Sequence, residues 1–260
     1  MFPLYIPKLK DSTFLNNGAS YDAILMDADH CEWRKKLSPK ARELTDLLII
    51  NPTTYLLQCD HAKKKESFQQ IGYPTDIDFE EVYANQDYRE ENIIKPAIDI
   101  QIKHGANIAI APYFYVVDSD DTKFSTNLTL ISETIRYFQS QNLHMPLYAM
   151  IMVSSAVLTR HPILNFIIDR YKEFNDHIEG FFVVVDELNC KNASEDILAA
   201  FAYLAYNLSQ ERNVYVKRVG PFGEILAAIG VQGICSGLGE GESFSMQSLQ
   251  EPPPGRKNRA

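Results

Sequence analysis

An unbroken Phe/Val run is the stretch of this chain with the fewest ways to fold. Gly180-Phe-Phe-Val-Val-Val-Asp-Glu187 places five aromatic or β-branched residues in a row and follows them with two carboxylates. The run is too short for a helix and too apolar for a strand with one wet face. It reads as a strand buried on both faces, as in a parallel sheet. Asp186 and Glu187 then fall at the C-terminal end of that strand, the edge where α/β folds bind ligands.

Similar runs recur along the chain, separated by helix-forming stretches. Strands are expected at Ala23–Met26, Leu47–Ile50, Asn107–Ala111, Leu147–Val153, Phe181–Val185, Val214–Val216 and Val231–Cys235. Between them, residues 86–104, 124–140, 162–174 and 194–210 carry apolar residues at helical spacing. Gly105 is a stop for the first of these helices, and Asn192 or Ser194 a cap for the last. Residues 56–85 read as one long loop, and a loop of that length is often functional.

Strand and helix in alternation predict a parallel sheet with right-handed crossovers. The expected fold is therefore α/β, a TIM-type (β/α) barrel. With seven strands in view, it either hides one in an irregular terminus, with Leu4–Ile6 the candidate, or is incomplete at one end. An open doubly wound sheet is the runner-up, but no Gly-x-Gly-x-x-Gly follows the first strand. Residues 1–250 are read as a single domain and 251–260 as a basic, linker-like tail.

Composition narrows the function classes. A net charge of −9 disfavours a broad nucleic-acid-binding face, though not a local basic patch. The four cysteines, Cys31, Cys59, Cys190 and Cys235, are too far apart for a zinc motif and read as reduced thiols. The N-terminus lacks the pattern of a signal peptide, and no apolar run approaches the roughly 20 residues of a membrane span. A cytoplasmic location is expected, without membrane contact. The expected partners are a small-molecule ligand, or a protein partner or second copy. No cofactor is indicated, and the six histidines lack metal-binding spacing.

The polar residues at the strand ends are the candidate site. Asp186, Glu187 and Glu240 are the acid–base candidates, because a carboxylate following a buried strand is partly desolvated and desolvation raises its pKa. Asp27, Asn51, Tyr113, Ser154, Lys217, Arg218, Ser236, Gly237, Gly239 and Glu242 are the ligand-binding candidates, with Asp29, His30, Thr53 and Tyr115 beside them. A structural alternative pairs Glu187 with Lys217 or Arg218, or uses Asp186 as a helix cap. Glycine alternates with leucine and glutamate over Ser236–Glu242. A glycine-rich loop in that place commonly cradles phosphate, yet its two glutamates repel phosphate and suit a metal, a cationic ligand or a neutral ring. Cys59-Asp60-His61 has the types of a nucleophile–base pair but not the spacing. Lys63–Lys65 reads as a solvated patch and Trp33, the only tryptophan, as core or rim.

Val185-Asp186-Glu187 and, about 50 residues later, Ser236-Gly-Leu-Gly-Glu-Gly-Glu242 together resemble two motifs of the tRNA-guanine transglycosylase-like barrels. The family's strand ends in Phe-Asp-Glu, and its Gly-Gly-Leu-Ala-Val-Gly-Glu loop contacts the base. The resemblance implies a barrel with a base-exchange activity. The family's Cys-x-Cys-x-x-Cys zinc site has no counterpart in this chain. Taken together with this resemblance, the expectation is an enzyme acting on a small polar or nucleoside-like ligand, a transferase as the resemblance implies or a hydrolase. The alternatives are a carboxylate-dependent hydrolase and a non-catalytic partner-binding barrel.

Overall fold

The computed structural model describes residues 4–8, 20–188, 192–237 and 244–250, with backbone alone for 5–8, 236 and 237. The Phe/Val run is the centre of the sheet. Strand β6 (Gly180–Asp186) is buried at every position. It pairs with β5 (Leu147–Ser154) through seven successive positions, Tyr148↔Gly180 to Ser154↔Asp186, and with β7 (Asn213–Lys217) on its other side. Gly180 has a local reason: a Cβ there would lie 2.2 Å from the Asn213 carbonyl oxygen, so the close approach of β6 to β7 requires glycine.

The remaining strands are β1 (Leu4–Lys8), β2 (Ile24–Asp27), β3 (Leu48–Asn51), β4 (Ala109–Ile110) and β8 (Gly233–Gly237). Their order is β3-β2-β1-β8-β7-β6-β5-β4 and every ladder is parallel. The strand candidate at Leu4–Ile6 belongs to β1, between β8 and β2.

The expectation of a TIM-type barrel is corrected by how these ladders end. The regular pairing forms a five-stranded curled half-barrel, β4 to β8, with β1 laid along the outer edge of β8, and a two-stranded unit, β2 with β3. β1 meets β2 through the single pair Lys8↔Leu25, and β3 meets the β4 segment through the single bridge Ile49↔Ile108. The cause lies in the β4 segment. Its backbone is satisfied by side chains where a barrel would supply a strand. The Gln101 amide both donates to the Ile110 carbonyl (2.9 Å) and accepts from its N–H (2.7 Å). Pro112 has no N–H to give. Beyond it, Thr54 Oγ1 accepts from Tyr113 N and donates to Tyr113 O, and the Gln58 amide does the same for Tyr115. Asn127 holds both backbone groups of Phe114 from the other side. Buried backbone groups must be paired; here side-chain amides and one hydroxyl pair them, so no eight-strand ladder closes.

The helices follow the apolar spacing. Thr122–Ser140 is capped by Asp121, His161–Lys172 has Pro162 in its first turn, and Glu195–Ser209 is capped by Ser194. Residues 86–103 form one helical stretch with a π turn at Glu90–Ile94, just before Pro96, whose missing N–H leaves a gap in the ladder. Gly105, at φ +71°, terminates it. The long loop expected over 56–85 is instead built of short helical turns, Thr54–Gln58, Asp60–Lys63, Glu66–Gln69 and Phe79–Ala84. Among the described residues no helix is long and apolar enough to cross a membrane.

Candidate functional site

The C-terminal strand ends carry two hydrogen-bonded chains. In the first, the Tyr113 hydroxyl donates to Asn51 Oδ1 (2.7 Å) and Asn51 Nδ2 donates to Asp27 Oδ1 (2.8 Å). All three residues are buried. In the second, the Tyr115 hydroxyl donates to Asp186 Oδ2 (2.7 Å), and the Met246 N–H donates to Asp186 Oδ1 (2.8 Å). Asp186 therefore has both oxygens engaged, and it fastens residues 244–246 across the end of β6. The Glu187 N–H, donating to the Phe244 carbonyl at 2.7 Å, reinforces the same contact. Burial first, then nearby carboxylates and phenols, keeps Tyr55, Tyr113 and Tyr115 well above the ordinary phenol value, so all three stay neutral donors.

Phe244, placed by this fastening, covers the strand ends. Its ring meets Tyr55 edge-on (5.7 Å between centroids), Tyr55 stacks on Tyr113 (5.7 Å), and the Arg218 guanidinium lies 5.5 Å from the centre of the Phe244 ring. Tyr55, Tyr113, Met152, Val184, Lys217, Arg218 and Phe244 enclose a cavity of about 10 Å³. That is room for about one water molecule.

The backbone is strained at this same edge. Thr53 (φ 57°), Glu187 (φ 56°) and Arg218 (φ 60°) all adopt the left-handed conformation, and each lies just past the end of a strand, β3, β6 and β7 respectively. Such a conformation is uncommon for any non-glycine residue and an outlier for a β-branched one. Thr53 is also 1% exposed, and its hydroxyl is buried without a hydrogen-bond partner among the described residues. Its N–H reaches Asn51 Oδ1 at 3.4 Å, which joins it to the first chain.

Asp27, Asp29 and His30 gather at the end of β2, with one ligand-type atom from each within 4.8 Å of the others. His30 Nδ1 lies 3.5 Å from Asp29 and 4.0 Å from Asp27, and is buried without a hydrogen-bond partner among the described residues. Histidine-to-histidine spacing does not reveal this group, since it contains only one histidine. The signal that would find it is Asp-x-Asp-His directly after a strand.

The structure thus gathers Asp27, Asn51, Tyr113, Lys217 and Arg218 at one edge, with Tyr115 and Asp186 forming the second chain beside them. Ser154 is used as a cap, its hydroxyl accepting from the Ala156 N–H at 3.2 Å. Asp186 caps no helix; its partners are Tyr115 and Met246. Glu187 is exposed. For Ser236 and Gly237 only the backbone is described, and Gly239, Glu240 and Glu242 lie outside the described residues, as does the expected tail at 251–260. Cys59 is buried and its thiol pushed up to about 11, by burial first and then by Asp60, the reverse of what a nucleophile needs. Trp33 is not in the core: it is 73% exposed. Sequence reasoning did not find Tyr55 or Phe244 as lining residues, nor the strain at Thr53. No protein-family model and no curated protein matches this chain.

Proposed function

We propose that this protein is an enzyme acting on a small polar or nucleoside-like ligand at the C-terminal edge of its curled sheet. The observation that carries the reading is Thr53: a buried hydroxyl without a partner among the described residues, on left-handed backbone, joined to the Asp27–Asn51–Tyr113 chain. An unpaired buried hydroxyl costs about 1–3 kcal/mol, and a left-handed non-glycine residue about as much again. Strain of this kind collects at ligand clamps, and Glu187 and Arg218 add two more instances at the same edge. Tyr55, Tyr113 and Phe244 supply faces for a flat ring. Arg218 supplies a donor fork beside them. Glu187, exposed and held at a strand end, is the carboxylate left to exchange a proton with the ligand. Asp186 serves by holding Tyr115 and Phe244 in place. Entry requires the Arg218–Phe244 contact to part, since the cavity between these residues is too small for an organic ligand.

The test is thermal unfolding in the presence of a panel of nucleobases, nucleosides and small sugars. At a hundredfold excess over Kd, a bound ligand stabilises the fold by about 2.7 kcal/mol. The Thr53→Val and Arg218→Ala variants should keep the fold and lose that stabilisation. A panel with no stabilising member, or a stabilisation that survives both substitutions, overturns the reading.

A further inference from the structure

Away from the strand ends, a second and larger cavity of about 1210 Å³ opens between the turn after Trp33 and the Lys65–Gln70 segment. The helix Ala28–Trp33 buries Ala28, Cys31 and Glu32 and leaves the indole of Trp33 on its outer side. That helix rests against the helix Glu66–Gln69, which brings Lys65 to the same groove as Arg34, Lys35, Lys36 and Lys40. Five cations and the chain's only tryptophan therefore share one groove, in a protein whose net charge is −9. Two acids also border it. Glu32 is buried and engaged by Lys103 (2.5 Å) and His104 (2.8 Å), so Glu66 is the one exposed carboxylate of the lining. Lys35, Lys36 and Lys65 form no ion pair with the described residues, and Trp33 makes no ring contact with them.

We propose that this groove binds single-stranded nucleic acid. An exposed indole flanked by lysines is the pairing such a ligand needs: bases stack on the ring in any sequence, and amines neutralise the phosphates. The volume exceeds the roughly 300–1,000 Å³ of a small-molecule cleft, which suits several nucleotides better than one metabolite. An acidic chain such as poly-glutamate would use the lysines but has no ring to place on Trp33. A net charge of −9 disfavours a polyanion over most of the surface, which makes a cluster of five cations the favoured place for one.

Trp33 is its own reporter, because intrinsic tryptophan fluorescence in this protein comes from the groove alone. Titration of the full chain with unlabelled decathymidylate should quench that fluorescence to saturation. The affinity should fall roughly 20-fold between 50 and 200 mM salt if Lys35, Lys36 and Lys65 each neutralise a phosphate. Lys35→Ala/Lys36→Ala, at two exposed positions, should leave the circular dichroism and melting temperature unchanged. The log–log salt slope should fall by about 1.4. Trp33→Ala, followed by anisotropy of a labelled decathymidylate, should weaken binding at least fivefold at all salt concentrations. Absence of quenching at low salt overturns the proposal. So does equal binding of poly-glutamate of matched charge, which would make the groove a site for acidic protein chains, or an unchanged affinity in the folded double variant.

Discussion

Tyr115 and Asp186, 71 residues apart in the chain, are joined by a 2.7 Å hydrogen bond across the ends of two sheet segments. With the Met246 N–H on its other oxygen, Asp186 is a clasp between strand β6 and the segment that carries Phe244. An asparagine there keeps one acceptor oxygen for the Met246 N–H and turns an NH2 group toward Tyr115, whose hydroxyl must then reverse and accept, so both hydrogen bonds lose the carboxylate charge that strengthens them. Asp186→Asn is expected to destabilise the fold by about 2–3 kcal/mol, and Tyr115→Phe by about 1–2 kcal/mol. The two losses should not add, because both act on one hydrogen bond; denaturant unfolding of the single and double variants measures this. Wild-type stability in Asp186→Asn would mean that the carboxylate is not a clasp.

Thr53 gives the opposite sign. Its hydroxyl has no partner among the described residues, so replacing it by a methyl group of the same shape removes an unsatisfied group at little cost in packing. Thr53→Val is expected to raise stability by about 1 kcal/mol. Denaturant midpoints compare the two proteins, and a clear loss of stability in the variant would show that the hydroxyl is paired.

Much of this fold could be read from the chain, for a definite reason. Buried parallel strands are continuous apolar runs, and β5, β6 and β7 lie where those runs are. The unclosed ladder was hidden because its cause is tertiary: Gln101, Thr54, Gln58 and Asn127 reach the backbone of residues 110–115 only after folding. The helical turns at 54–69 are four or five residues long, too short for apolar periodicity to accumulate. At the site, the strand-end position of Asp186 was legible. Its partners were not, nor was the left-handed backbone of Thr53, a β-branched residue with no local signal for it.

Glu32 ties stability to pH. Burial alone would raise its pKa, but hydrogen bonds from Lys103 and His104 outweigh burial and hold it below the ordinary glutamate value of 4.5. A lowered folded-state pKa contributes stability that is present above the unfolded value and lost as pH falls through the folded one. Glu32→Gln should therefore be destabilised by about 1–3 kcal/mol at neutral pH. The gap to wild type should narrow as the pH drops below 4.5. Unfolding curves from pH 7 to pH 3 test this, and a gap that widens toward acid would contradict it.

Gly180 tests the packing of the central strand. A methyl group 2.2 Å from the Asn213 carbonyl cannot be accommodated without moving β7. Gly180→Ala is expected to cost about 3 kcal/mol or more, at the upper end of overpacking effects. A variant that melts within a degree or two of wild type would show that the β6–β7 spacing yields.

The central claim is that the edge around Thr53, Tyr55 and Arg218 holds a small polar ligand. Two-dimensional amide NMR of the full chain, titrated with nucleobases, nucleosides and small sugars, reads that edge directly. The account predicts shifts that saturate and concentrate at residues 51, 53–55, 187 and 218, and at Phe244 as its contact with Arg218 opens. Amides at that edge that stay still throughout the panel, or shifts confined to the Trp33 groove, would contradict it.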